Sequence, residues 1–251
     1  MPELAGESIN LIVTSPPYYN APHDSHSYYD NYKNYLKIIK KLSQECYRVL
    51  QSGRIVAVNI DDILINGERF PIVADITRIF IRTGFKYRDR IIWKKPDGYV
   101  RISKRSGTLR RNPYPMYFYP DNLTETILIF QKGKFDYQSI DTSTRLSSKV
   151  NEKEFDQDKL HRSFWEIVNV SPKSDFEKNV AAFPEELPAR LINLFSYKGE
   201  IVLDPFVGSG TTMKVARQLG RNSIGIEINK NLVNLIEEKL SFDERLAIVY
   251  R

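Results

Sequence analysis

The stretch EIVLDPFVGSGTTMKVARQLG, residues 200–220, passes from an apolar, β-branched run through two closely spaced glycines into a helix-type pattern. That passage decides the fold class. Ile201–Leu203 read as a short buried strand with Asp204 at its carboxyl end, Gly208 and Gly210 permit a tight loop, and a helix starts near Thr211. Strand, glycine loop and helix in this order is the unit by which an open parallel sheet holds a nucleotide-like ligand. The next strand, Ser223–Ile226, ends at Glu227, 23 residues beyond Asp204, where a carboxylate can accept hydrogen bonds from both hydroxyls of a ribose. The loop has no Gly-Lys-Ser/Thr, which argues against a triphosphate, and it departs from G-x-G-x-x-G, which argues against a dinucleotide. A Gly-Ser-Gly loop alone reads as readily as a structural turn; the carboxylate partner decides for a ligand.

Outward from this unit the chain keeps alternating strand and helix. Near the N-terminus, LIVTSPPYYN (residues 11–20) brings a buried strand, Leu11–Val13, to Ser15 and then stops it with Pro16-Pro17. A proline supplies no N–H to a ladder and restricts the residue before it, so the strand ends in a stiff turn. A helix follows from about Tyr32 to Leu50, with Leu36, Ile39, Leu42 and Cys46 at helical spacing. After it come a strand over Ile55–Ile60, a helix opened by Pro71 and broken by Gly84, and a strand over Tyr87–Trp93. The run TETILIF, ending at Phe130, can pair antiparallel with Tyr87–Trp93. Residues 131–180 are the least regular part and read as an insertion or small subdomain.

Composition bounds the function. The 251 residues, 41% of them hydrophobic, can bury a sizeable core. No apolar run approaches the roughly 18 residues that span a bilayer, and no basic-then-apolar leader is present, so an intracellular protein without a membrane partner is expected. Cys46, the single cysteine, sits in a helix-type pattern and reads as core. The net charge of +6 is concentrated: between Gly98 and Pro120 lie Arg101, Lys104, Arg105, Arg110 and Arg111 and no acidic residue. The same segment carries Tyr99, Tyr114, Tyr117, Phe118 and Tyr119. Basic residues interleaved with aromatics suit an arm that neutralises phosphates and packs on sugars or bases, which makes nucleic acid the favoured partner.

Together the two motifs resemble the S-adenosylmethionine-dependent DNA amino-methyltransferases. Asp204, Pro205, Phe206, Gly208, Ser209, Gly210, Thr211 and Thr212 match that family's D-P-F-x-G-S-G-T-T cofactor loop, and Ser15, Pro16, Pro17 and Tyr18 match its (D/N/S)-P-P-(Y/F/W) catalytic motif. Catalytic motif first and cofactor motif last is the order of the beta group. The likeness continues in GRIVAVNIDD, RIIWKKP, SFWEI (163–167) and AAFPEELPARLINLFS (181–196). It implies an α/β fold with a doubly wound, mostly parallel Rossmann-like sheet, in which residues 1–96 form the catalytic half, 97–180 a β-hairpin arm and target-recognition region, and 181–251 the cofactor half. It further implies S-adenosyl-L-methionine as cofactor, with Glu227 on its ribose and Phe183 and Pro184 over its methionine part, and double-stranded DNA as partner in a prokaryotic cytoplasm, at the nucleoid. A cognate restriction endonuclease and a homodimer are admitted by the resemblance and decided by nothing in it.

The chemistry explains the turn. An exocyclic amino nitrogen has its lone pair delocalised into the ring, so a site must draw it towards tetrahedral geometry by accepting its hydrogens. Ser15 Oγ and the Pro16 carbonyl suit that task, and Tyr18 can stack on a base flipped from the duplex. Family members with Ser in the first motif position are mostly cytosine-N4 enzymes and those with Asp or Asn mostly adenine-N6, so cytosine-N4 is expected and adenine-N6 is the alternative. Methyltransferases of RNA or protein glutamine also use a Pro-Pro-Tyr turn but place the cofactor motif first; a non-catalytic DNA-binding protein would need neither motif. His23 and His26 read as loop residues and no metal is expected; Asp61 and Asp62 read as turn residues near the pocket. Only ten residues precede Leu11, where the family often has a further strand and acidic turn. Either that segment is lost or its place is taken by the run RLAIVY (245–250), which reads as a strand and keeps the sheet complete, with Asp243 then as a substitute contact.

Overall fold

Ile9–Thr14 (β1) carries INLIVT, apolar on both faces, as a strand flanked by parallel neighbours and covered by helices on both sides must be. The computed structural model describes residues 1–19, 29, 31–96, 111–116, 120, 122–168, 183–241, 247 and 249. After β1 come α1 (Tyr32–Val49), whose N-terminus is capped by the Asn31 side chain, and β2 (Leu50–Ile60). The β2 strand begins five residues earlier than the expected Ile55 because its first residues continue directly from the helix.

A two-stranded hairpin, β3 (Ile63–Ile65) and β4 (Glu68–Phe70), then stands outside the main sheet. Its two-residue turn is Asn66-Gly67, with φ of 50° and 86°, the type I′ geometry that an Asn-Gly pair favours. The remaining elements are α2 (Ile72–Thr83), β5 (Lys86–Lys94), β6 (Thr124–Gln131), α3 (Thr142–Ser147), α4 (Glu152–Gln157), β7 (Phe164–Glu166), α5 (Glu186–Phe195), β8 (Ile201–Asp204), α6 (Thr211–Gln218), β9 (Asn222–Gly225) and α7 (Val233–Leu240).

Among the described residues, seven strands form one sheet in the order β7-β5-β6-β2-β1-β8-β9. Neighbours pair parallel except where β6 meets β5 and β2, so β6 alone runs against the others. The antiparallel β5–β6 pairing expected from the two β-rich runs is present, with Trp93 opposite Glu125. Each face has its own apolar layer. Ile12 and Leu203 join Tyr35, Ile39 and Cys46 of α1 and Ile76 and Phe80 of α2. Leu11, Val13 and Val202 join Leu187 and Leu191 of α5 and Val215 and Ala216 of α6. Helices therefore cover both faces, and the sheet is doubly wound.

The 97–180 region contributes β6 and β7 to this central sheet. Trp165 of β7 is 1% exposed and Trp93 donates to the Ile167 carbonyl at 3.0 Å, so this part is welded to the domain. The irregularity of residues 131–168 comes from two six-residue helices, each started by an Asp or Asn cap and too short to show periodicity. The expected strand over 245–250 and the Asp243 contact lie outside the described residues, apart from Ala247 and Val249.

Candidate active site

The order of strands turns between β1 and β8. From β1 the chain crosses by α1 to β2 on one side; from β8 it crosses by α6 to β9 on the other. Open α/β sheets bind ligands in the crevice outside the carboxyl ends of the strands at such a switch point. Both motifs lie there, Ser15-Pro-Pro-Tyr directly after β1 and the glycine loop directly after β8.

One carboxylate joins them. Asp204, 2% exposed, accepts from Thr14 Oγ1 at 2.8 Å and the Phe206 N–H at 3.1 Å through Oδ1, and from Thr212 Oγ1 at 2.7 Å through Oδ2. Thr14 is the last residue of β1 and the neighbour of Ser15. Burial pushes the Asp204 carboxyl up to about 6 despite the opposing pull of these three donors, and the Glu227 charge adds to the rise. The sequence places Asp204 towards a ligand; in the structure both its oxygens also accept from the protein, which braces the loop and the Ser-Pro-Pro-Tyr turn against each other.

The loop itself is shaped by Gly208 and Gly210, with φ of 51° and 83°, and Gly210 leads into α6. Glu227 stands half-exposed beside it, accepting from the Gly208 N–H at 2.9 Å through Oε2 and from the Asn229 N–H at 2.9 Å through Oε1. Each of its oxygens keeps a second acceptor position. Ile228, next in the chain, is 79% exposed and offers an apolar surface at the same edge. Ser209 and Thr211 are buried and take hydrogen bonds from Lys239 Nζ of α7 at 2.9 and 3.2 Å. Their side chains, like that of Thr212, thus hold the loop, and what remains for a ligand is its backbone, Phe206, Glu227 and Ile228. Pro205 is buried, Phe183 is half-buried against the second apolar layer, and Pro184 is buried at the start of α5.

A second polar cluster meets the Ser-Pro-Pro-Tyr turn from the β5–β6 side. Glu125, at the start of β6, pairs with Lys95 Nζ at 2.6 Å through Oε1. Its Oε2 accepts from Asn59 Nδ2 at 2.7 Å and from Tyr18 Oη at 3.1 Å. Glu125, Lys95 and Asn59 are all buried, and Lys95 also lies 5.0 Å from the centre of the Trp93 ring. Pro16 is buried, whereas Ser15, Pro17 and Tyr18 are half-buried at the edge of the crevice. Asp61 is buried and accepts from Asn122, and Asp62 accepts from the Val73 N–H at 3.0 Å at the start of α2, so both serve local structure.

Of the five basic residues of the arm, Arg111 is described and exposed; Arg101, Lys104, Arg105 and Arg110 lie outside the described residues, as do His23 and His26. The ends of the arm are fixed: the Lys95 N–H donates to the Leu123 carbonyl at 2.8 Å, closing the β5–β6 ladder at the same sheet edge as Ser15. Thr14, Asn59, Lys95, Glu125 and Lys239 are the site-edge residues that sequence reasoning missed. A charged residue opening an otherwise apolar strand, as in TETILIF, was the one signal available for Glu125.

A doubly wound sheet with a glycine loop and the half-exposed Glu227 carboxylate at its switch point, beside a Ser-Pro-Pro-Tyr turn, belongs to the Rossmann-like methyltransferase class. Residues 9–238 match the model of the N6_N4_Mtase DNA methylases, and the chain belongs to that family. It is 36% identical to the Type II methyltransferase M.MjaI of Methanocaldococcus jannaschii, over 98% of this chain and 89% of that one. It is 31% identical to the Type II methyltransferase M.MthZI of Methanothermobacter thermautotrophicus, over 98% and 75% respectively. Among solved structures it resembles TTHA0409 of Thermus thermophilus complexed with S-adenosyl-L-methionine, with a TM-score of 0.76, 27% identity, and coverage of 96% of this chain and 88% of that chain. The chain is accordingly a DNA amino-methyltransferase.

Proposed function

We propose that the protein transfers a methyl group from S-adenosyl-L-methionine to the exocyclic N4 of a cytosine flipped out of duplex DNA. The observation that carries this reading is the position of Ser15. A hydroxyl, rather than a carboxylate or amide, stands at the carboxyl end of β1 in a Pro-Pro-Tyr turn, and the neighbouring Thr14 is tied to the cofactor-type loop through Asp204. The cofactor, when bound, supplies an electrophilic methyl group on a sulfonium centre. The residues present fit it: Glu227 retains acceptor capacity for ribose hydroxyls, Ile228 and Phe206 offer apolar surface, and Gly208 lets the backbone approach closely.

The chain's own contribution is positioning. Ser15 Oγ and the Pro16 carbonyl accept the amino hydrogens and draw the nitrogen towards a shape with an available lone pair. Ser15 is no strong base, and none is needed, because the nitrogen gives up its proton as or after the methyl arrives. The Tyr18 ring replaces part of the stacking that the base loses on leaving the helix. The basic residues of the arm, Arg101, Lys104, Arg105, Arg110 and Arg111, hold the phosphates. Phe183 and Pro184 close the methionine side by packing.

The test is incubation of unmodified plasmid DNA with the purified protein and S-adenosyl-L-methionine, followed by hydrolysis to nucleosides, mass spectrometry and sequencing of modified positions. N4-methyldeoxycytidine with wild type and its loss with Ser15→Ala is the expected result. N6-methyldeoxyadenosine in its place overturns the base assignment.

A further inference from the structure

The buried pair Lys95–Glu125 lies outside both motifs, yet it reaches into one of them. Glu125 is 7% exposed and Lys95 3%, and their charged atoms are 2.6 Å apart. Ion pairs so deeply buried are weak evidence for stability, because desolvation offsets most of their attraction. The arrangement here is informative for another reason. Lys95 takes one carboxylate oxygen, and the other is turned towards Asn59 and the Tyr18 hydroxyl, which lies 107 residues away in the chain. A carboxylate paired with an ammonium group accepts and does not donate. The phenol is therefore the donor, in a charge-assisted hydrogen bond with little solvent to compete for it.

The same logic orients Asn59. With its NH2 group committed to Glu125, its Oδ1 is buried without a partner among the described residues. That is a costly arrangement for a group whose only evident service is to hold the carboxylate in place. Asn59 also follows Val58, the register partner of Thr14, so the cluster stands level with the catalytic turn across the β1–β2 pair. Tyr18 is half-buried and has one end fixed at this cluster.

We propose that Glu125, charged and immobilised by Lys95 and Asn59, is a positioning residue that tethers the Tyr18 hydroxyl and so presets the ring on which the flipped base stacks. The inference rests on the reading of Tyr18 as the stacking residue. The matching motif position accepts Phe or Trp as well as Tyr, so stacking alone does not require a hydroxyl, whereas here the hydroxyl has a buried carboxylate as acceptor, held also by Asn59. An untethered ring samples other rotamers and must be ordered when the base arrives; a tethered ring has already lost that freedom.

Tyr18→Phe keeps the ring and removes the tether. After the modified position has been mapped with wild type, a duplex carrying 2-aminopurine there reports base extrusion by fluorescence. Tyr18→Phe is expected to reduce the fluorescence gain on enzyme binding and to lower kcat by about tenfold, with cofactor affinity by calorimetry unchanged. Glu125→Gln should reproduce the loss, and the double variant should be no worse than either single one. Should Glu125→Gln not fold, Tyr18→Phe alone decides. Wild-type fluorescence and kcat in Tyr18→Phe would overturn the tether while leaving the methyltransferase reading intact. A loss in Tyr18→Phe that Glu125→Gln does not share would overturn Glu125 as its acceptor. A wild type that methylates no DNA would overturn the reading beneath it, and the tether with it.

Discussion

Asp204 illustrates how a single residue can carry opposite demands. Its carboxylate is wanted ionised, because Thr14, Thr212 and the Phe206 N–H all donate to it, yet it is 2% exposed and its proton is held up to about pH 6 against an ordinary value of 3.8. A raised folded-state value means that between those limits the folded chain binds a proton that the unfolded chain lacks. The contribution of this group to stability is thus greatest below the ordinary value and is lost as pH rises through about 6. The gap corresponds to about 3 kcal/mol. Function runs the other way, since protonation turns one acceptor position into a donor facing groups that must donate. Cofactor affinity of the wild type should fall as pH drops through about 6, whereas Asp204→Asn should bind more weakly at neutral pH and show a flat profile from about pH 5 to 8. Calorimetric titrations with S-adenosyl-L-methionine across that range, beside urea denaturation of both proteins, read the two effects. The stability of the wild type relative to Asp204→Asn should shrink as pH rises. Parallel pH profiles would remove Asp204 as their source.

At the scale of elements, β9 and the glycine loop are fitted together more tightly than their sequences announce. A Cβ placed on Gly225 would stand 2.2 Å from Met213 Sδ and 2.6 Å from Val207 Cγ2. Met213 can swing away; Val207 belongs to the loop, whose N–H donates to the Ile226 carbonyl at 3.0 Å, and cannot. Gly225→Ala should therefore lift β9 from the loop, lower stability by about 1–3 kcal/mol and weaken cofactor binding by moving Glu227. Adding Met213→Ala should restore part of the stability and little of the affinity. Unaltered melting and binding in Gly225→Ala would refute the packing argument. Local signals made much of this legible: β1, β8 and the start of α6 are marked by apolar runs that end in Pro-Pro or in glycines, and those signals depend on neighbours in sequence. The β3–β4 hairpin, absent from the sequence reading, also carries a local mark in Asn66-Gly67. By contrast β7, three residues long, exists because Trp93 offers an edge to Trp165, and Lys95, Glu125 and Lys239 reach the site from elements 28 or more residues away in sequence from their partners. No local pattern encodes those meetings.

At the scale of the whole molecule, the segment that holds most of the net charge is joined to the sheet at the edge where both motifs lie. Because β6 runs against its neighbours, the β5–β6 connection leaves and re-enters the sheet at the carboxyl ends of β1 and β2, beside Ser15 and the Lys95–Glu125 pair. Five of its residues, Arg101, Lys104, Arg105, Arg110 and Arg111, account for most of the net +6. A duplex whose base is flipped into the crevice must lie across this edge, so the arm is expected to hold the backbone that flanks the flipped base. If these side chains neutralise phosphates, each alanine variant should weaken binding to every sequence alike and reduce the slope of log affinity against log salt by roughly one unit. If one grips a guanine edge in the major groove, its loss should cost about 1–3 kcal/mol on the methylated site and little elsewhere. Phosphate contacts outnumber base contacts in most interfaces, so the first behaviour is expected for at least three of the five. Titrating single variants with target and scrambled duplexes at two salt concentrations separates the two, since a phosphate contact shifts both duplexes and a base contact shifts one. Five variants with unaltered affinity for both would mean that the arm does not meet DNA, and the recognition surface would then have to be sought in residues 131–180.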